Sequence, residues 1–225
     1  MPLLGQAAVA MWWNVADEHL SEFHEWHSKE HLPERLSIPG FERGSRWQRE
    51  GGGQFFVIYE LTDYEILVSD GYRARLNNPT RWSTAMMPLH RDMVRSQCRV
   101  VASHGRGVAT YMSTIRLSPD SQRADELEKH LSRTLAGAPE SFGITGAHLL
   151  RTETPSAPAT REQQIRGADA TADWIILVSG HNEAALRSVS SGILNEESLR
   201  NTGASTVRYD DPFRLVHALV PADVR

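Results

Sequence analysis

Residues 18–43 read EHLSEFHEWHSKEHLPERLSIPGFER, and their pattern governs the interpretation of the whole chain. Laid on a helix at 100° per residue, Leu20, Phe23, His24, His27, Glu30 and His31 share one side, while Glu22, Glu25 and Lys29 fall on the solvated one. The inner stripe is therefore half apolar and half imidazole. A helix that only had to pack would carry Leu, Ile or Val there, because a buried ring nitrogen without a partner costs about 1–3 kcal/mol. Asp17 is placed to cap this helix, and Pro33 should end it near Leu32 or open a short further turn, PERLSI. Pro39-Gly40 then fits a type II turn, with glycine supplying the positive φ.

Working outward, Gln6 to Val15 is short and apolar enough for a buried strand, and Phe41 to Arg49 and Gln54 to Leu61 form a hairpin around Gly51-Gly52-Gly53. Asp63 can cap a helix from Tyr64 to Leu76. Thr80 to Arg95 is helical in character, and Gln97 to His104 returns as a strand. The order is β-α-β-β-α-β, a ferredoxin-like unit. From Val108 the order repeats: strand to Leu117, a helix Arg123 to Leu135 capped by Ser118 or Asp120, strands Ile144–Thr152 and Trp174–Ser179. A helix Glu183–Asn195 and a strand Thr206–Leu219, broken at Asp211-Pro212, complete it. Within the second half lies a Pro/Ala/Thr-rich insert, Thr154 to Asp173, expected to be mobile or to cover one rim. The expected fold is α+β: two ferredoxin-like β-α-β-β-α-β repeats, 1–105 and 106–225, forming an intramolecular dimeric α/β barrel. The chain is expected to be a self-contained pseudo-dimer, with any further homo-oligomer optional.

The net charge of −4 and the absence of a basic run argue against a nucleic-acid partner. No apolar run approaches a membrane span, and the apolar N-terminus lacks the positive charge of a signal peptide, so a cytoplasmic protein is expected. The lone Cys98 cannot form an internal disulfide and is read as a small core residue.

Taken together, FHEWHSKEHLPERLSIPGFERGSRW, then FFVIYEL, NPTRW and CRVVASHGRG, resemble the EthD-like members of the dimeric α+β barrel superfamily, here as a tandem two-repeat form. The resemblance covers about the first 105 residues. The second repeat agrees in element order only, and its helix ELEKHLSRTL has a single histidine, His130. The resemblance implies the fold with a pocket between sheet and helices. It says little about activity, because relatives include cofactor-free monooxygenases, muconolactone isomerases and haem-binding enzymes.

Four readings of the histidine helix stand open. The rings can be structural, bonded to carbonyls or to Glu30. They can be acid–base groups, since imidazole titrates near neutrality. His27 and His31 at i, i+4 match helical zinc spacing, but no further Cys/His pair completes a site, so no metal is expected. Haem could take His90 or a helix-one histidine as axial ligand, although no haem signature is present. The favoured expectation is a cofactor-independent enzyme acting by histidine acid–base chemistry on a small apolar, aromatic or lactone-like molecule, as an isomerase, lyase or monooxygenase-like protein. A non-catalytic small-molecule binding protein and a haem-binding enzyme are the alternatives. The catalytic candidates are His24, His27, His31 and Glu30, and the substrate-binding candidates Trp26, Tyr59, Tyr72, Trp82 and Arg35. Arg43 and Arg46 are read as strand-edge charges, and Met86-Met87 as core filling or an adaptable wall.

Overall fold

A computed structural model describes residues 3–153, 158–167 and 169–224. Its strands are β1 (Ala7–Asn14), β2 (Phe41–Gln48), β3 (Gln54–Leu61), β4 (Arg91–Gly105), β5 (Tyr111–Pro119), β6 (Ile144–Thr152), β7 (Trp174–Gly180) and β8 (Ala204–Leu219). Its helices are α1 (Leu20–Trp26), α2 (Leu32–Leu36), α3 (Asp70–Asn77), α4 (Arg81–Met86), α5 (Ala124–Gly137), α6 (Arg161–Arg166), α7 (Glu183–Ser191) and α8 (Glu196–Asn201). Hydrogen-bonded neighbours follow the order β1-β3-β2-β8-β5-β7-β6-β4, and the series closes into an antiparallel barrel. The expected α+β class and β-α-β-β-α-β order are therefore present. No helix among the described residues is long and apolar enough to cross a membrane.

The backbone groups into two units, one of Leu4–Cys98, Glu153–Thr171 and Val216–Arg225, the other of Met1–Leu3, Arg99–Thr152 and Ala172–Leu215. In the first, β3 pairs with β1 from Ala7↔Leu61 to Asn14↔Gln54 and with β2 on its other edge. Val9, Met11 and Trp13 share a face with Phe55, Val57 and Tyr59, and this face carries the apolar core under the helices.

Several local expectations change. Ala16, not Asp17, precedes the first helical turn, and no side chain caps it. The chain does not stop at Pro33. A π turn, His27–His31, joins α1 to α2, with Leu32 N–H donating to the His27 carbonyl five residues back. Adding a residue to the turn next to the proline accommodates its missing donor. Gly40 does adopt φ +94°, and Phe41 N–H donates to Ile38 O at 3.1 Å, closing the expected turn. Tyr64 to Leu76 is not one helix, because Ser69 caps α3 separately after a 3-10 turn. Arg91 to Arg95 is strand rather than helix: Pro88 ends the preceding turn, and β4 runs on for 15 residues.

Within the insert a short helix and a bridge to β4 are formed. Thr160 and Gln163 form a capping box for α6, Arg161 N–H donates to Asn77 Oδ1 at 3.1 Å, and Ala170 bridges β4 at Val94. Thr154 to Ala157 and Ala168 lie outside the described residues.

In the second unit, Leu127, Leu131 and Leu135 form the buried stripe of α5, packed with Ile115, Leu149, Ile176 and Val178. Arg123, rather than Ser118 or Asp120, stands at the start of α5. The last helix is shorter than expected and a separate α8 follows it, capped by Asn195. Asp211-Pro212 does not break β8; the register shifts between Met112 and Thr114 of β5 and the strand continues.

Candidate active site

The site is built on the first repeat, where α1, the π turn and α2 lie over the sheet. β2 enters with a bulge between Phe41 and Arg43, which shifts its alternation by one residue. Beyond the bulge Gly44, Arg46 and Gln48 pair with Tyr59, Val57 and Phe55, so they share the helix-covered face. Gly44 makes the close approach of α2 feasible: a Cβ there would lie 2.4 Å from Leu32 Cδ2.

His27 occupies the centre. It is 1% exposed, and its ring centroid lies 5.4 Å from Phe23, 5.5 Å from His31, 5.7 Å from Trp26 and 6.1 Å from Trp13. Among the described residues neither ring nitrogen has a hydrogen-bond partner. Burial first, and Arg46 second, hold it well below the usual histidine range, so it is neutral at pH 7. His31 rests against Trp26 at 4.5 Å with Nδ1 unpartnered, and burial and Arg35 depress it likewise. His24 is half-buried, edge-on to Phe55 at 5.6 Å, and lowered by burial and Arg46.

His90, just before β4, completes the group at 5.0 Å from Trp13 and 5.7 Å from Trp26. Its Nδ1 lies 3.0 Å from the Met87 carbonyl, which makes Nδ1 the protonated nitrogen and leaves Nε2 with a bare lone pair. Burial pushes it down to about 4. Each of these rings is thus a neutral base in an aromatic surround.

The other candidates separate into distinct places. The Glu30 carboxylate faces no imidazole: Oε1 accepts from Thr80 Oγ1 at 2.5 Å and from Trp26 Nε1 and Ser83 Oγ at 3.2 Å each, fastening α4 to α1. This explains why Trp26, off the expected inner stripe, is buried: α4 covers it. Trp82 Nε1 donates to Glu22 at 3.3 Å on the outer side of the same helix pair. Tyr59 is buried with its hydroxyl unpartnered, and burial raises its pKa. Tyr72 accepts from Arg95 Nη2 at 2.8 Å; its ring lies 5.5 Å from Phe41, tilted, and that of Tyr59 5.7 Å from it, edge-on. Arg35 is buried against Glu162 of α6, with Glu34 3.5 Å from its Nη1. Among the described residues no group of three or more His, Cys, Asp or Glu is arranged to hold a metal ion.

Several contributors escape a reading of the sequence. Arg46 is not a strand-edge charge: it is 2% exposed, its guanidinium stands 5.7 Å over the Phe23 ring, and Nη2 donates to Ser28 Oγ at 2.9 Å. The bulge is the reason, since uninterrupted alternation from Phe41 puts Arg46 on the opposite face. Arg43 is not an edge charge either; it forms two bonds, 2.7 and 2.8 Å, to the buried Glu60. Glu162 and His217 come from distant segments, and His217 is lowered by burial and by Arg46. His90 is singled out in the sequence only as a candidate haem ligand, and its place beside the helix-one histidines is not foreseen.

No family model matches the sequence, and no curated protein matches it either. Solved structures match in fold. An anthrone oxidase-like protein aligns with a TM-score of 0.67 at 11% identity, covering 98% of this chain and 95% of its own. A protein provisionally named a monooxygenase, from Fusobacterium nucleatum, aligns at 0.61 and 7%, covering 96% and 95%. A heme-binding protein from Thermus thermophilus aligns at 0.51 and 10%, covering 96% and 95%. At these identities the likeness is one of fold.

Proposed function

We propose that the protein is a small-molecule enzyme whose first repeat removes a proton from an apolar, aromatic, enolisable substrate without a resident cofactor. One observation carries this reading: His27 is buried among aromatic rings with both nitrogens unpartnered. A purely structural histidine at that depth would be hydrogen-bonded, because leaving it unpaired costs about 1–3 kcal/mol. A base kept for a substrate must stay unpaired until the substrate arrives.

His27 takes the proton, His24 and His31 flank it as relay positions, and His90 offers a second bare Nε2. Tyr59 has a free hydroxyl to donate to the developing enolate or phenolate oxygen. Trp26 forms part of the aromatic wall. Arg35 and Tyr72, bound to Glu162 and Arg95, hold the floor of the site, and Glu30 positions the helices rather than a ring. Trp82 braces the helix pair from outside.

The anthrone oxidase-like neighbour suggests the probe. Deprotonating the anthrone methylene gives an electron-rich anion. Its oxidation by dioxygen to the quinone converts CH2 to C=O and releases water, four electrons passing from carbon to oxygen. Anthrone turnover in air-saturated buffer is expected for the wild type, with His27→Ala about 10²–10⁴-fold slower. Unchanged turnover in His27→Ala contradicts the proposal; binding without any conversion by the wild type favours a carrier.

Haem is the second reading, supported by the heme-binding neighbour and by the carbonyl-oriented His90. The residues as packed do not fit it. A porphyrin needs a broad open face at its axial ligand, whereas Trp13, Phe23 and Trp26 all stand within 5.8 Å of the His90 centroid. Added haem is expected to give no Soret band. A band abolished by His90→Ala would reverse the order of the two readings.

A further inference from the structure

Arg46 presents an unbalanced charge. It is almost wholly buried, yet among the described residues it makes no ion pair with a carboxylate, and Nε and Nη1 have no hydrogen-bond partner. The groups set against it are the Phe23 ring, the Ser28 hydroxyl, His24, His27, Tyr59 and His217, none of them an anion at neutral pH. The other deeply buried arginines of this unit have oxygen partners: Arg35 has Glu162, and Arg95 has Tyr72. A buried guanidinium left alone is costly, because the low-dielectric surround returns none of its lost hydration. Replacing it by an apolar residue of similar length would remove that cost, so packing alone does not account for it.

We propose that Arg46 is the anchor for a carboxylate on the ligand, and that the ligand is an aromatic acid whose ring lies among Phe23, His27 and their neighbours. Guanidinium is suited to this, since it donates to carboxylates through several N–H groups at once, and two of its nitrogens are uncommitted here. The Phe23 ring beneath and Ser28 at one end hold the plane in place. The inference rests on the first repeat being the ligand site. It concerns recognition only, so failure of the proton-transfer chemistry leaves it standing.

The test is a binding titration of the full chain by tryptophan fluorescence, comparing 2-naphthoate with its neutral isostere 2-naphthamide. The wild type is expected to bind naphthoate at least about tenfold more tightly. Arg46→Gln is expected to abolish the preference and Arg46→Lys to restore part of it. The second measurement needs no ligand: Arg46→Met is expected to raise Tm, as removal of an uncompensated buried charge should. Equal binding of acid and amide by the wild type, no saturable binding of naphthoate, or an undiminished preference in Arg46→Gln each overturns the assignment. A fall in Tm for Arg46→Met would overturn it too, by showing that the charge is structural.

Discussion

His90 illustrates how burial leads in setting protonation in this site. Its pKa of about 4 lies below the value of about 6.5 expected in the unfolded chain, so unfolding takes up a proton between those two limits. The stability it contributes is therefore fully present above about pH 6.5 and is lost as pH falls toward 4, with a slope of about 1.4 kcal/mol per pH unit for this residue alone. His27 and His31, shifted in the same direction, steepen it. Urea unfolding at a series of pH values is expected to show this loss, and His90→Gln to flatten it. An unchanged slope in the variant would contradict the burial of a neutral ring. Catalysis should be far less sensitive to acid: because burial keeps His27 unprotonated, kcat/KM is expected to show no fall as pH drops through the ordinary histidine value of about 6.5.

Among the elements, α6 matters most for the site although it lies in the insert. Glu162 is buried against Arg35, so the segment is held on the first repeat by charge as well as by its bridge to β4, while Arg166 bonds Asp169 at 2.7 Å within the segment itself. Glu162→Ala leaves the buried Arg35 only its longer contact to Glu34 and is expected to cost about 3 kcal/mol in urea unfolding, whereas Arg35→Met with Glu162→Met should recover most of it. Equal losses for the single and double variants would refute that pairing. These elements also mark what a sequence can disclose. The Pro39-Gly40 turn, β1, β3 and the buried His27 are governed by local pattern and are readable from it. The start of β4 is not, because Met86, Met87, Leu89 and Met93 mimic a helical stripe while Pro88 forbids it. Arg46 is hidden by a one-residue bulge, and Glu162 by more than a hundred residues of separation from Arg35.

Across the molecule, the two repeats use corresponding helices differently. The first places imidazoles and tryptophan under α1 and its π turn, while α5 in the second buries Leu127, Leu131 and Leu135. We infer a working repeat and a scaffolding one. Leu131→Ala is expected to cost about 2–5 kcal/mol and lower Tm while leaving kcat/KM of the folded protein unchanged. His27→Ala is expected to do the reverse. A Leu131→Ala protein that is stable but inactive would remove the distinction.

Whether the first repeat keeps neutral bases ready for a substrate is tested most directly by NMR titration of ¹³Cε1-labelled histidine, with signals assigned by single His→Gln variants. His27 and His31 are expected to remain neutral as pH falls through the ordinary histidine range near 6.5, and His90 to protonate only near 4. Titration of His27 near 6.5 would contradict a base held neutral by burial.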